Sequence, residues 1–185
     1  MTSKDRIKNL IRISDSTEGV SRFRIFDKRK RMTPQEYAAR KQARADAEAY
    51  MKQNYQGNCY TNTIPTIGNI DIYVFAEGIS ETTTDKSVFA SSSWQSHFKA
   101  IYQLDTVLTQ GSYVGKEPNR KPQTSKGFDF VHRFTHSITI DGAVKVVTVV
   151  VKENTDPNKK PHTYYTQHVQ DSSECLFEFV SMEVQ

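Results

Sequence analysis

Phe128, Phe130, His132, Phe134, His136, Ile138 and Ile140 alternate with Asp129, Val131, Arg133, Thr135, Ser137 and Thr139, the period of two that gives a strand two distinct faces. Asp141-Gly142 follows, and a second run, Ala143 to Glu153, comes after it. An Asp-Gly pair between two such runs predicts a type I′ hairpin, because both central residues need positive φ. Pairing Ile140 with Ala143 sets the register. Arg133 then lies opposite Val150, Thr135 opposite Thr148, Val131 opposite Lys152, His132 opposite Val151 and His136 opposite Val147. Arg133 and Lys152 become diagonal neighbours on one face, which like charges disfavour unless an anion sits between them or the side chains splay into water. His132 and His136 share the other face with Phe, Ile and Val. Buried histidines with hydrogen-bond partners are the plain reading there.

Upstream, the pattern changes from strand to helix and back. Thr33-Pro34-Gln35-Glu36 is a capping box with proline at the first helical position, and it opens an Ala-, Arg- and Lys-rich helix to about Lys52. Its apolar residues are mostly Ala and Tyr, so it is expected to pack weakly. Between Tyr60 and Ile79 short apolar runs are broken at Ile64-Pro65 and Ile67-Gly68-Asn69, as strands with turns would be, and "NIDIYVFAEGI" holds the clearest strand. A Ser/Thr-rich linker leads to Ser93, which can cap one helix from Trp94 to about Thr109. His97 sits in its first turn at the edge of the apolar stripe, where the helix dipole favours a neutral imidazole. Residues 111–127 read as a polar loop. Thr163–Val169 reads as a further strand with Thr163, Tyr165 and Gln167 on one side, and Leu176–Val180 as the last strand.

Those elements predict an α+β fold: an antiparallel sheet of four to five strands packed against one main helix, with a basic helical N-terminal arm. The arm is expected over residues 1–57 and the α+β domain over residues 58–185. Charge supports that division. Residues 1–52 hold fourteen Lys/Arg against seven Asp/Glu, while residues 53–185 hold eleven against fourteen. Within the arm, "RFRIFDKRKR" interleaves Phe23 and Phe26 with Arg22, Arg24, Lys28, Arg29, Lys30 and Arg31, a composition suited to phosphate contacts and base stacking, and equally to a solvated or partner-docking segment. Cys59 and Cys175 lack metal-ligand or CxxC spacing, which suits small core residues in a reducing compartment. With neither a signal-peptide pattern nor a bilayer-length apolar run, a cytoplasmic protein without membrane contact is expected.

No Gly-rich phosphate loop, GxSxG elbow, HExxH helix or dinucleotide fingerprint is present, which argues against ATP hydrolysis, zinc proteolysis and hydride transfer. The segments "SSSWQSHFKAIYQLDTVL", "SYVGKEPNR" and "FVHRFTHSITIDGAVKVVTVVVKEN", with the later "YY", resemble the large polyvalent protein-associated domains and phage nucleases related to barnase, EndoU, colicin E5 and RelE. The resemblance covers about residues 67–170. It implies a helix on an antiparallel sheet and a ribonuclease site that needs neither metal nor other cofactor. RNA is the partner it implies, and an antitoxin or phage protein is a further expected partner class.

Such chemistry needs a base for the ribose 2′-OH, cations for the crowded phosphorane and an acid for the departing 5′-oxygen. The resemblance implies His97 as base, His132 as acid, Arg133 and Lys152 as phosphate contacts, and Tyr165 as an orienting group or proton donor, with His168 a weaker substitute. His132 and Arg133 are adjacent, so a regular strand through both must send them to opposite faces. The net acidic body departs from the basic groove usual in ribonucleases. The alternative expectation is a non-catalytic nucleic-acid-binding or protein-interaction module of a phage or mobile element.

Overall fold

A computed structural model describes residues 32–119, 128–154, 156 and 158–172. The basic run Arg22–Arg31, Cys175 and the strand expected at Leu176–Val180 lie outside the described residues. The chain divides into two compact units, residues 1–39 and residues 40–185. In the first, the capping box forms as expected: the Thr33 amide donates to Glu36 Oε2 at 2.7 Å and the Glu36 amide to Thr33 Oγ1 at 3.2 Å. These bonds open helix α1 (Pro34–Asn54) and hold the Glu36 carboxyl below its ordinary value.

The second unit contains the sheet. Strands β1 (Cys59–Ile64) and β2 (Gly68–Tyr73) form a hairpin, followed by helices α2 (Ala76–Thr82), α3 (Asp85–Phe89), α4 (Trp94–Ile101) and α5 (Leu104–Gln110). Then come β3 (Ser112–Pro118), β4 (Phe130–Ile140), β5 (Ala143–Glu153) and β6 (His162–Asp171). The order across the sheet is β1-β2-β6-β5-β4-β3, and among the described residues only the short β2–β6 contact is parallel. An α+β fold is therefore correct, but the sheet has six strands where four to five were expected.

The central hairpin follows the sequence closely. Its turn has φ of 52° at Asp141 and 78° at Gly142, and every pairing expected from the Ile140–Ala143 register is present. Alternation could set that register because a slip of one residue would turn Phe134, Val147 and Val149, all now fully buried, to the wrong face. Each such side chain contributes roughly 1.5–3 kcal/mol of burial.

Elsewhere local composition concealed regular structure. The expected single helix from Ser93 breaks at Tyr102-Gln103 into α4 and α5, although Ser93 caps it as expected, accepting from the Ser96 amide. The Ser/Thr-rich linker is largely helical, forming α2 and α3. The polar loop at residues 111–127 begins with β3. Cys59, expected in the core, is exposed. Within the second unit, the later part of α1, expected to pack weakly, buries Ala47 and Met51 in the core, with Tyr55 just beyond it.

β2 leaves β6 after pairing Ile72 with His162 and Tyr73 with Thr163. Farther along β6, polar groups from outside the sheet take over. The Ser92 amide donates to the Val169 carbonyl at 2.7 Å, and the Val169 amide to Ser91 Oγ at 2.9 Å. α2 lies so close that a Cβ on Gly78 would stand 2.3 Å from the Tyr164 carbonyl oxygen. Only glycine fits that contact. A bulge between Val150 and Val151 also shifts β6, so that Val150 faces Thr166 but Val151 faces Tyr164. Tyr164 and Gln167 thus share the core side, which corrects the expected alternation, and Tyr165 falls in the bulge.

Candidate functional site

His97 lies on α4 and is fully buried, deeper than the edge position expected for it. Its Nε2–H donates to the Thr82 carbonyl at 2.9 Å, which leaves Nδ1 to accept from Ser91 Oγ, also at 2.9 Å. Ser91 Oγ in turn accepts from the Val169 amide. The imidazole therefore ties α2, α4 and β6 together, and burial pushes its pKa down to about 4. His168, on the opposite side of β6 from Gln167, is held at about 4 as well, by burial first and the Arg133 charge second.

His132 lies on the core face of β4, at the end of the sheet where β4 starts and β5 finishes. Regular pairing runs through both His132 and Arg133, so their side chains point to opposite faces. His132 Nε2 is 2.6 Å from Glu153 Oε2, and Nδ1 is 3.2 Å from the Tyr113 hydroxyl. Glu153 faces Phe130 on one side and His162 on the other. The rings of His132 and His162 stand 5.3 Å apart, edge to face. Lys116, paired with His132 across the β3–β4 ladder, reaches Glu153 Oε1 at 2.9 Å and Oε2 at 2.7 Å.

Four adjacent strands thus bring two imidazoles, a carboxylate, an ammonium and a phenol to one corner. Burial alone would raise the Glu153 pKa, but the bonds and charges of Lys116 and His132 hold it below the ordinary value. Burial lowers that of His162, and the neighbouring His132 lowers it further. The Tyr113 hydroxyl is raised by burial. Among the described residues, ligand atoms of His132, Glu153 and His162 lie within 4.8 Å of one another, close enough for one metal ion.

Arg133, Lys152 and Tyr165 gather on the second face. The Lys152 ammonium stands 3.8 Å over the Tyr165 ring and 4.6 Å over Phe128, and donates to Glu77 Oε1 at 2.7 Å. Arg133 pairs with Glu117, Nε to Oε1 at 3.1 Å. The diagonal cations expected from the register are therefore relieved by the protein's own carboxylates. Burial pushes the Tyr165 hydroxyl up to about 12, helped by Glu81 and Glu77. Lys152 and Tyr165 line a pocket of ≈ 340 Å³ with Phe128, Glu77, Lys159 and Lys160, while Arg133 and Phe128 line an adjacent one of ≈ 300 Å³.

The five residues singled out in the sequence therefore occupy three places: His97 inside, His132 at the core-face corner, and Arg133, Lys152 and Tyr165 on the second face. Arg22, Arg24, Lys28, Arg29, Lys30 and Arg31 lie outside the described residues. Glu153, His162, Lys116 and Tyr113 were not anticipated. Register alone carried a signal for Glu153, because the pairing that sets Val151 opposite His132 also places Glu153 opposite Phe130 on the same face.

No curated protein and no solved structure matches the chain. Residues 38–165 match the large polyvalent protein-associated domain 3. That match spans more than half of the sequence, and the chain belongs to the large polyvalent protein-associated domain 3 family, a phage-associated group.

Proposed function

We propose that the chain is an endoribonuclease that cuts RNA by attack of a ribose 2′-OH on the adjacent phosphorus, leaving a 2′,3′-cyclic phosphate, with its reacting groups at the His132–Glu153–His162 corner. The observation that carries this reading is the pair of imidazoles 5.3 Å apart, flanked by Lys116 and Glu153. His162 makes no ring hydrogen bond among the described residues and is depressed by burial, so it is neutral near pH 7 and suited to take the 2′-OH proton. His132 gives its proton to the 5′-oxygen as the P–O5′ bond breaks, with Glu153 orienting its ring. The Lys116 ammonium opposes the charge that builds on the phosphorane. No metal is needed for these steps.

Arg133, Lys152 and Tyr165 serve in this scheme as contacts for flanking nucleotides. The basic segment Arg22 to Arg31, with Arg24, Lys28, Arg29 and Lys30, adds salt-dependent attraction. His97 lies inside the fold between α2, α4 and β6, outside this corner, and keeps a positioning role only.

The test is cleavage of a mixed-sequence RNA by the full chain in excess chelator, with the product ends identified by mass spectrometry. Cyclic phosphate should form on RNA and not on DNA. His162→Ala and Lys116→Ala should each lower turnover by roughly a hundredfold while leaving the thermal melt in place. Absence of cleavage, or full activity in His162→Ala, overturns the assignment. Binding without cleavage is favoured by one observation, the lysine- and aromatic-lined pocket around Lys152. It is recognised by RNA affinity that falls steeply with salt while the RNA stays intact.

A further inference from the structure

We infer that the His132–Glu153–His162 corner is also a binding site for a divalent transition metal of the zinc type, an inference that rests on the geometry of the corner and not on RNA cleavage. Three neighbouring strands each supply one ligand, and the ligand atoms already lie within 4.8 Å of one another. The pairing of Glu153 with both Phe130 and His162 fixes two of the three positions through backbone hydrogen bonds, so little ordering remains for an ion to induce.

The donor set selects the ion. Two imidazoles and one carboxylate suit Zn²⁺, Co²⁺ or Ni²⁺, whereas Mg²⁺ and Ca²⁺ prefer oxygen throughout. A metal requires the lone pair on His132 Nε2, so that nitrogen's proton must leave or move to Nδ1. The Tyr113 hydroxyl, 3.2 Å from Nδ1, is placed to accept it there, the kind of outer partner that fixes a ligating histidine.

Two further charged groups act on the corner from adjacent strands. Asp71 of β2 acts on His162, and Lys116 of β3 occupies both oxygens of Glu153. Lys116 is the ion's direct competitor. Its side chain is 40% exposed and can swing into water, freeing one carboxylate oxygen for the metal. Bound metal would block His162 as a base, so zinc should inhibit any cleavage at this site.

The experiment is a Co²⁺ titration of the full-length chain near pH 7.5, read by visible d–d absorption, with Zn²⁺ used to displace it. Saturable binding of one ion is expected. His162→Ala should weaken it at least about tenfold, while Lys116→Ala should tighten it. The second variant separates the two readings, because the same substitution is expected to lower ribonuclease turnover. Binding weaker than about 1 mM, or unchanged affinity in a folded His162→Ala protein, overturns the metal site without bearing on cleavage.

Discussion

Acid should unfold this domain through its buried histidines, and His97 gives the magnitude. An unfolded imidazole titrates near 6.5, whereas His97 in the fold titrates near 4. Between those values the unfolded chain binds a proton that the folded one refuses. Stability contributed by the neutral ring is therefore complete above pH 6.5 and is lost progressively as pH falls toward 4. At about 1.4 kcal/mol per pH unit, the loss is roughly 3 kcal/mol. His168 has the same folded value and adds a similar amount, and His162 is shifted in the same direction. A combined loss of about 6 kcal/mol is comparable with the whole stability of many domains of this size. Urea unfolding followed by circular dichroism at pH 7.5, 6.0, 5.0 and 4.5 measures it. The midpoint should fall steeply through this series. The slope should flatten in a His97→Gln, His168→Gln double variant, whose amides can keep a donor without titrating. Stability unchanged from pH 7.5 to 4.5, or an undiminished slope in the double variant, would refute the reasoning.

Two further outcomes follow from packing. Gly78→Ala sets a methyl 2.3 Å from the Tyr164 carbonyl oxygen, and backbone must move to relieve it. A loss of about 1–3 kcal/mol is expected, read as a lowered thermal midpoint. Removal of residues 1–57 takes Ala47, Met51 and Tyr55 out of the core, and the truncated chain should lack a cooperative melt. Loss of a buried Met side chain alone costs about 2–5 kcal/mol.

The parts of the fold that were legible share a cause. β4 and β5 are long, alternate strictly and meet at a turn that demands particular residues, so local pattern and tertiary burial agree. α2 and α3 were hidden because their small, hydroxyl-bearing residues resemble a linker. Yet Gly78 permits close approach to β6, Thr82 reaches the Tyr164 hydroxyl at 2.6 Å, and Ser87 Oγ accepts from Thr166 at 3.0 Å. β3 was hidden by Gly115, Lys116 and Pro118, residues tolerated in an edge strand. The corner was half legible. His132 stood out by residue type, but its link to Glu153 needed the register to be carried two residues further, and its link to His162 needed a third strand. No local signal announced the bulge that sends Tyr165 toward Lys152.

That bulge has a consequence for how the sequence can vary. Surface turns generally absorb inserted or deleted residues, but β6 depends on the parity of its count. Pairing β6 without the bulge, with Tyr165 retained, would move each earlier residue of the strand one place. Tyr164 would then stand where Thr163 now faces Lys152, and Thr163 would replace His162 beside Glu153. Closing the bulge with every residue kept would empty the histidine corner and rebuild the lysine pocket together, whereas losing the Tyr165 codon would leave His162 beside Glu153. Relatives that preserve the histidine corner should keep the bulge and its extra residue or lack both together, even where the residue types around it have drifted.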